Sequence, residues 1–149
     1  MVCLGNICRS PLAEGIMRKN IEEYNLDAMV DSAGTAHFHI GQSPDPRSVE
    51  SGARHNIDIS GLRGRQFGVA DFDNFDLIYV MDKSNYRNVL ELARGEDDKA
   101  KVELLLNVSN PDQFLEVPDP YYGGEQGFEN VYQMINEACA KVAKNIKNG

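Results

Sequence analysis

The stretch "FDLIYVMDKSNYRNVLELAR", Phe75 to Arg94, decides how the chain is built. From Phe75 to Met81 it is almost continuously apolar, as expected of a strand covered on both faces. Asp82 then stands where a helix N-cap belongs, and Tyr86, Val89, Leu90 and Ala93 recur at helical spacing. A buried strand that feeds straight into an amphipathic helix is half of a crossover unit. Working outward, the alternation repeats. "KVELLL" (101–106) reads as a further strand, and Phe128, Val131, Tyr132, Ile135, Ala138 and Val142 mark one stripe of a long closing helix. Toward the N-terminus, Ser10-Pro11 opens a helix running from about Arg9 to Tyr24, with Leu12, Ile16, Met17 and Ile21 on its buried side. Ala28-Met29-Val30 reads as a short strand leading into "DSAGT" (31–35), and "SPDPRSVESGARHN" (43–56) as a Pro-initiated second helix. Strands separated by helices predict an α/β fold, a parallel twisted sheet with helices on both faces.

Composition narrows the possibilities. The 149 residues match a single domain, 1–149, with 42% hydrophobic and 26% charged residues, which excludes disorder and collagen-like structure. No apolar run approaches the ~18 residues that span a bilayer, so no membrane role is expected. The start shows no basic region followed by an apolar stretch, so the expected location is cytoplasmic. A net charge of −8 argues against nucleic acid as a partner, since backbone binding needs clustered Lys and Arg. Any phosphate must therefore be captured by a local site. The three cysteines, Cys3, Cys8 and Cys139, are too few and too unevenly placed for a disulfide framework.

That local site is expected in "CLGNICRS", Cys3 to Ser10, between the first strand and the first helix. Ligands in such sheets bind outside the carboxyl ends of the strands. A loop wrapping a tetrahedral oxyanion must aim successive backbone N–H groups inward, which Gly5 permits and Asn6 tolerates. The helix that follows points its positive end at the same spot, and Arg9 adds a planar clamp for two oxygens. Cys3 in this nest is expected to be a thiolate and a nucleophile toward phosphorus, with Ser10 hydrogen-bonding the sulfur. The leaving oxygen needs a proton donor. Asp119, held between Pro118 and Pro120 in "VPDPYYGG", is the candidate, with Tyr121 and Tyr122 beside it as walls for an aromatic ring. The competing chemistry, a Cys-x4-Cys metal site, lacks a second ligand pair. Cys139 reads as a small core residue, and His37, His39 and His55 read as loop or surface residues without ligand spacing.

Together these stretches resemble the low-molecular-weight protein tyrosine phosphatases. "VCLGNICRSPLAE" is similar to the phosphate loop of that family, "DSAGT" to its second loop, "GQSPDPRS" to the start of its second helix and "DPYYGG" to its acid loop, all in order. The resemblance implies Cys3 as nucleophile, Arg9 as clamp and Asp119 as general acid, with no metal or organic cofactor. It implies phosphotyrosine proteins as substrates and inorganic phosphate as product and inhibitor. Asn6, Ser10 and Ser32 would support the loop, and Leu4, Ile7, Phe38, Tyr121 and Tyr122 would line the substrate slot. The sheet would have four strands in the order 2-1-3-4. Cys8 would be the redox partner of Cys3, a reversible disulfide sparing the nucleophile from irreversible oxidation.

The chain departs from the family pattern twice. Only Met1 and Val2 precede Cys3 where relatives have a longer strand, so the first strand is expected to be shortened, as in a truncated chain, leaving neighbours partly unpaired and lowering stability or promoting self-association. Leu62 stands where many relatives have a histidine that holds the loop asparagine, which makes the orientation of Asn6 less secure. Among rival activities, arsenate reduction needs additional redox cysteines, and only Cys139 is available. Protein-arginine phosphatases favour a small polar residue where Ile7 stands, and a catalytically silent phosphate-binding protein would have no need for nucleophile, clamp and acid together.

Overall fold

The computed structural model describes residues 1–149 apart from the side chain of Tyr122, so the expectation for Tyr122 lies outside what is described. Its elements in chain order are β1 (Val2–Cys3), α1 (Arg9–Glu23), β2 (Ala33–Gly34), α2 (Pro46–Ala53), α3 (Ala70–Asn74), β3 (Ile78–Val80), α4 (Lys83–Glu91), α5 (Glu96–Ala100), β4 (Val102–Leu104), α6 (Leu105–Ser109), a 3₁₀ turn (Pro120–Tyr122) and α7 (Gly124–Asn148). The sheet has four strands, all pairs parallel, in the order β2-β1-β3-β4.

Alternation along each strand splits the interior into two cores. Cys3 and Met81 face a cluster with Leu12 and Ile16 of α1, Ile59, Leu105, and Ile135 and Val142 of α7. Val2, Ile78, Val80, Val102 and Leu104 face the other side, against Phe72 of α3 and Val89 of α4. Each fully buried Leu, Ile or Phe contributes roughly 1.5–3 kcal/mol, so the helices are held to the sheet by their apolar stripes rather than by intrinsic propensity.

Two expectations are corrected. The second strand is Ala33–Gly34, not Ala28–Val30. A strand forms where a partner lies beside it: Val2 pairs with Ala33 and Cys3 with Gly34, whereas no strand among the described residues pairs with 28–30, and Met29 is 93% exposed. "KVELLL" is strand only over Val102–Leu104, after which Leu105–Ser109 turns into a short helix whose Leu105, Leu106 and Val108 stay buried. β1 spans two residues, and it pairs with both neighbours: the Ala33 amide donates to the Met1 carbonyl at 3.0 Å and the Met81 amide to the Val2 carbonyl at 3.0 Å. The second of these bonds falls just past the carboxyl end of β3, beside the loop that follows β1.

Candidate active site

The loop from Cys3 to Cys8 is fixed by hydrogen bonds on three sides. Ser10 Oγ lies 3.0 Å from Cys3 Sγ, and the Asn6 amide N–H points at the same sulfur from 3.3 Å. Asn6 itself adopts φ +55°, a left-handed conformation that asparagine accepts more readily than most residues. Its side-chain Nδ2 donates to Ser10 Oγ (2.8 Å) and Ser32 Oγ (3.0 Å). Ser32 in turn donates to the buried carboxylate of Glu14 at 2.7 Å. The doubt raised by Leu62 is resolved by a different donor: the backbone N–H of Arg65 reaches Asn6 Oδ1 at 3.0 Å, so both ends of the amide are held.

The second loop presses against the first. A Cβ on Gly34 would stand 2.8 Å from the Leu4 carbonyl oxygen, so only glycine lets the backbones approach this closely. The start of α2 completes the frame. The Asp45 amide donates to the Ile7 carbonyl (2.8 Å), and Ser48 Oγ, buried, donates to the Cys8 carbonyl (2.9 Å). No side chain caps the first turn of α1, whose N-cap is Cys8. The positive end of that helix is left facing the loop.

Arg9 is 4% exposed, and its Nη1 donates to Asp82 Oδ2 (2.7 Å) and to the Val117 carbonyl (3.0 Å). Asp82 is also the expected N-cap, its Oδ1 accepting from the Asn85 amide at 2.8 Å in a capping box. Val117, fully buried, donates its amide to the Met81 carbonyl at 2.8 Å and so ties the chain leading to Asp119 to the end of β3. Asp119 Oδ1 accepts from the Tyr121 amide at 3.0 Å, capping the 3₁₀ turn.

These elements enclose a cleft of about 150 Å³. Cys3, Leu4, Gly5, Ile7, Cys8 and Arg9 line it from the loop after β1, and Asp119 and Tyr121 from the opposite wall. Asn6, Ser10 and Ser32 stand behind the loop and do not line the cleft. Phe38 does not line it either and is 65% exposed; its neighbour His39 does, with Nδ1 2.9 Å from Gln42 Oε1. His39 carried no spacing signal, and its place follows from the path of the second loop. Glu14, Asp45 and Ser48 were also missed as loop supports, although they fall inside "RSPLAE" and "SPDPRS". His55 has a structural setting, bonded to Glu129 and stacked on Tyr132 at 3.6 Å. Burial, reinforced by Asp45, pushes the Cys8 thiol up to about 12, so Cys8 stays protonated at neutral pH.

A thiol and an arginine in a loop shaped for a tetrahedral oxyanion, at the carboxyl edge of a parallel sheet and opposite a carboxyl group, define a phosphate-handling α/β protein. The family model described as low molecular weight phosphotyrosine protein phosphatase matches residues 1–149, and the chain belongs to that family. A human low molecular weight phosphotyrosine protein phosphatase is 43% identical over 93% of this chain and 88% of its own length. The crystal structure of a protein tyrosine phosphatase from Entamoeba histolytica, with Hepes in its active site, superposes with a TM-score of 0.91 at 39% identity, covering 99% of this chain and 95% of that one. A Vibrio vulnificus protein, Wzb, in complex with benzylphosphonate superposes at 0.85 with 30% identity, covering 97% of this chain and 94% of that one.

Proposed function

We propose that the chain hydrolyses phosphotyrosine in proteins, and small aryl phosphates, through a cysteinyl-phosphate on Cys3. The observation that carries this is the meeting of Cys3, Arg9 and Asp119 in one cleft, although Asp119 lies far in sequence from the loop that holds the other two. Both hydrogen bonds of the Arg9 guanidinium use Nη1, which leaves its Nε–Nη2 edge for two phosphate oxygens. The Cys3 sulfur attacks phosphorus in line, the S–P bond forms as the P–O bond breaks, and Asp119 gives its proton to the departing phenol oxygen. Water then attacks phosphorus, Asp119 takes the proton back, and the S–P bond breaks to release inorganic phosphate. Ser10, 3.0 Å from the sulfur, stabilises it as it leaves. Leu4, Ile7 and Tyr121 wall the cleft with apolar surface suited to an aromatic ring, and benzylphosphonate bound to the Vibrio relative is an aryl analogue of that kind. Cys8 borders the same cleft as Cys3, which supports its reading as a redox partner. Three free thiols suit a reducing, cytoplasmic setting, and no helix among the described residues is long and apolar enough to cross a membrane.

Turnover of phenyl phosphate tests the reading. Cys3→Ser is expected to abolish it and Asp119→Asn to slow it by about 10²-fold or more. Undiminished hydrolysis by Cys3→Ser would refute the mechanism, and comparison of phosphotyrosine with phosphoserine and phosphoarginine sets the substrate class.

A further inference from the structure

The turn that carries Asp119 is exposed, yet a general acid must sit within hydrogen-bond reach of the leaving oxygen. Upstream it is anchored at Val117. Beyond Asp119, a side chain of α2 reaches across from the phosphate-loop side. Arg47 Nη1 donates to the Tyr121 carbonyl at 2.8 Å, and its guanidinium lies over the Tyr121 ring (4.7 Å to the centroid) and the buried Phe128 ring (5.0 Å). The rest of the guanidinium is locked onto Asp45, with Nε 3.1 Å from Oδ1 and Nη2 3.0 Å from Oδ2. Asp45 is the residue whose amide holds the Ile7 carbonyl. A continuous chain of contacts therefore runs from the phosphate loop at Ile7, through Asp45 and Arg47, to Tyr121, whose own amide holds the Asp119 carboxylate.

We infer that Arg47 is a positioning residue, a strut that sets the distance between the Asp119 carboxyl group and the phosphate loop. This rests on Asp119 being the acid. The chemistry demands arginine: a planar fork grips Asp45 with two nitrogens while a third reaches Tyr121, whereas a lysine ammonium is a point charge that serves one partner well. A displacement of about 1 Å in a catalytic group costs up to ~10²-fold in rate, so loss of the strut is read in the step that needs the proton.

The test measures kcat/KM, which reports the steps through leaving-group departure, for substrates differing in how much they need an acid. Phenyl phosphate expels a basic oxygen like that of tyrosine, and 2,4-dinitrophenyl phosphate expels one that leaves unprotonated. Arg47→Met is expected to lower kcat/KM about 10-fold on phenyl phosphate and less than about 3-fold on the dinitrophenyl ester, a share of the ~10²–10⁴-fold a positioned acid supplies. Arg47→Lys, which keeps the charge, should fall between parent and Arg47→Met. Asp119→Asn run alongside should show the same selectivity in larger measure. Losses in Arg47→Met equal on both substrates, or absent, while Asp119→Asn remains selective, overturn the strut and leave the acid intact. A flat response in Asp119→Asn overturns the acid assignment and the strut with it. A purely structural defect lowers both substrates together and shows in the melting temperature.

Discussion

Arg9 and Asp82 meet as a buried pair, Nη1 to Oδ2 at 2.7 Å, with side chains 5% and 20% exposed. Asp82 serves two masters, one oxygen on the arginine and the other on the first turn of α4. The two roles separate by substitution. Asparagine still caps a helix but leaves the Arg9 charge without its counterion. Asp82→Asn is therefore expected to cost roughly 2 kcal/mol, less than the ~3–5 of a fully buried pair because Asp82 is partly wet. Asp82→Ala should cost about 1 kcal/mol more through loss of the cap. Urea denaturation measures both, and an asparagine variant as stable as the parent would show that the ion pair adds nothing.

Asn6 combines a left-handed backbone with three side-chain hydrogen bonds, and the two contributions are also separable. Asn6→Ala loses the bonds to Ser10, Ser32 and the Arg65 amide and leaves at φ +55° a residue that tolerates the left-handed region less well than asparagine. Asn6→Gly loses the same bonds without the backbone penalty, so it should be more stable than the alanine variant by about 1 kcal/mol. Both should lose about 10-fold or more in turnover, since Ser10 is no longer aligned on the sulfur. Equal stability of the two variants would mean that the loop relaxes out of its left-handed turn.

Much of this was legible in the residues. Phe75–Met81 announced a strand because its run is almost continuously apolar, and β3 occupies Ile78–Val80 within it, while Leu77 before it is half exposed. The site was legible because its loop is local: Cys3 to Ser10 carry sulfur, turn formers, cation and helix start in consecutive positions. What hid were contacts made across long sequence separations, several of them through backbone atoms. The Arg65 amide that holds Asn6 Oδ1 could have come from any residue type, and so could the Ile7 carbonyl held by Asp45. Strand β2 was misplaced because Ala28-Met29-Val30 is apolar but has no strand beside it, and pairing is a tertiary fact. His39 took the place expected of Phe38 for a similar reason, since which of two adjacent loop side chains turns inward depends on the loop's path.

The cysteines differ in environment enough to predict their labelling. Burial pushes Cys139 up to about 12, and burial with help from Asp45 pushes Cys8 to about 12, so neither offers appreciable thiolate at pH 7. Cys3 faces the anion loop and the positive end of α1. Iodoacetate at pH 7 is expected to give a single adduct, on Cys3, with inorganic phosphate slowing the reaction. Mass spectrometry of the digested protein checks the site, and labelling of Cys8 at a comparable rate would contradict the environments described.

The brace from α2 carries its own pH dependence. Hydrogen bonds from Arg47 hold the Asp45 carboxyl below its ordinary 3.8. A carboxyl depressed in the folded state contributes stability that is complete above the unfolded value and is lost as pH falls through the folded one. Asp45→Asn keeps an N-cap for α2 but loses the charged grip on Arg47, so it should be less stable than the parent at pH 7. That gap should narrow below about pH 4, as the parent's own carboxylate takes up its proton. Urea denaturation of both proteins at pH 7 and pH 3 measures the narrowing. A gap that stays constant would assign the loss to packing around α2 rather than to the carboxylate. At neutral pH the same variant should also show, in milder form, the loss on phenyl phosphate predicted for Arg47→Met, because a guanidinium released from Asp45 no longer fixes the Tyr121 carbonyl.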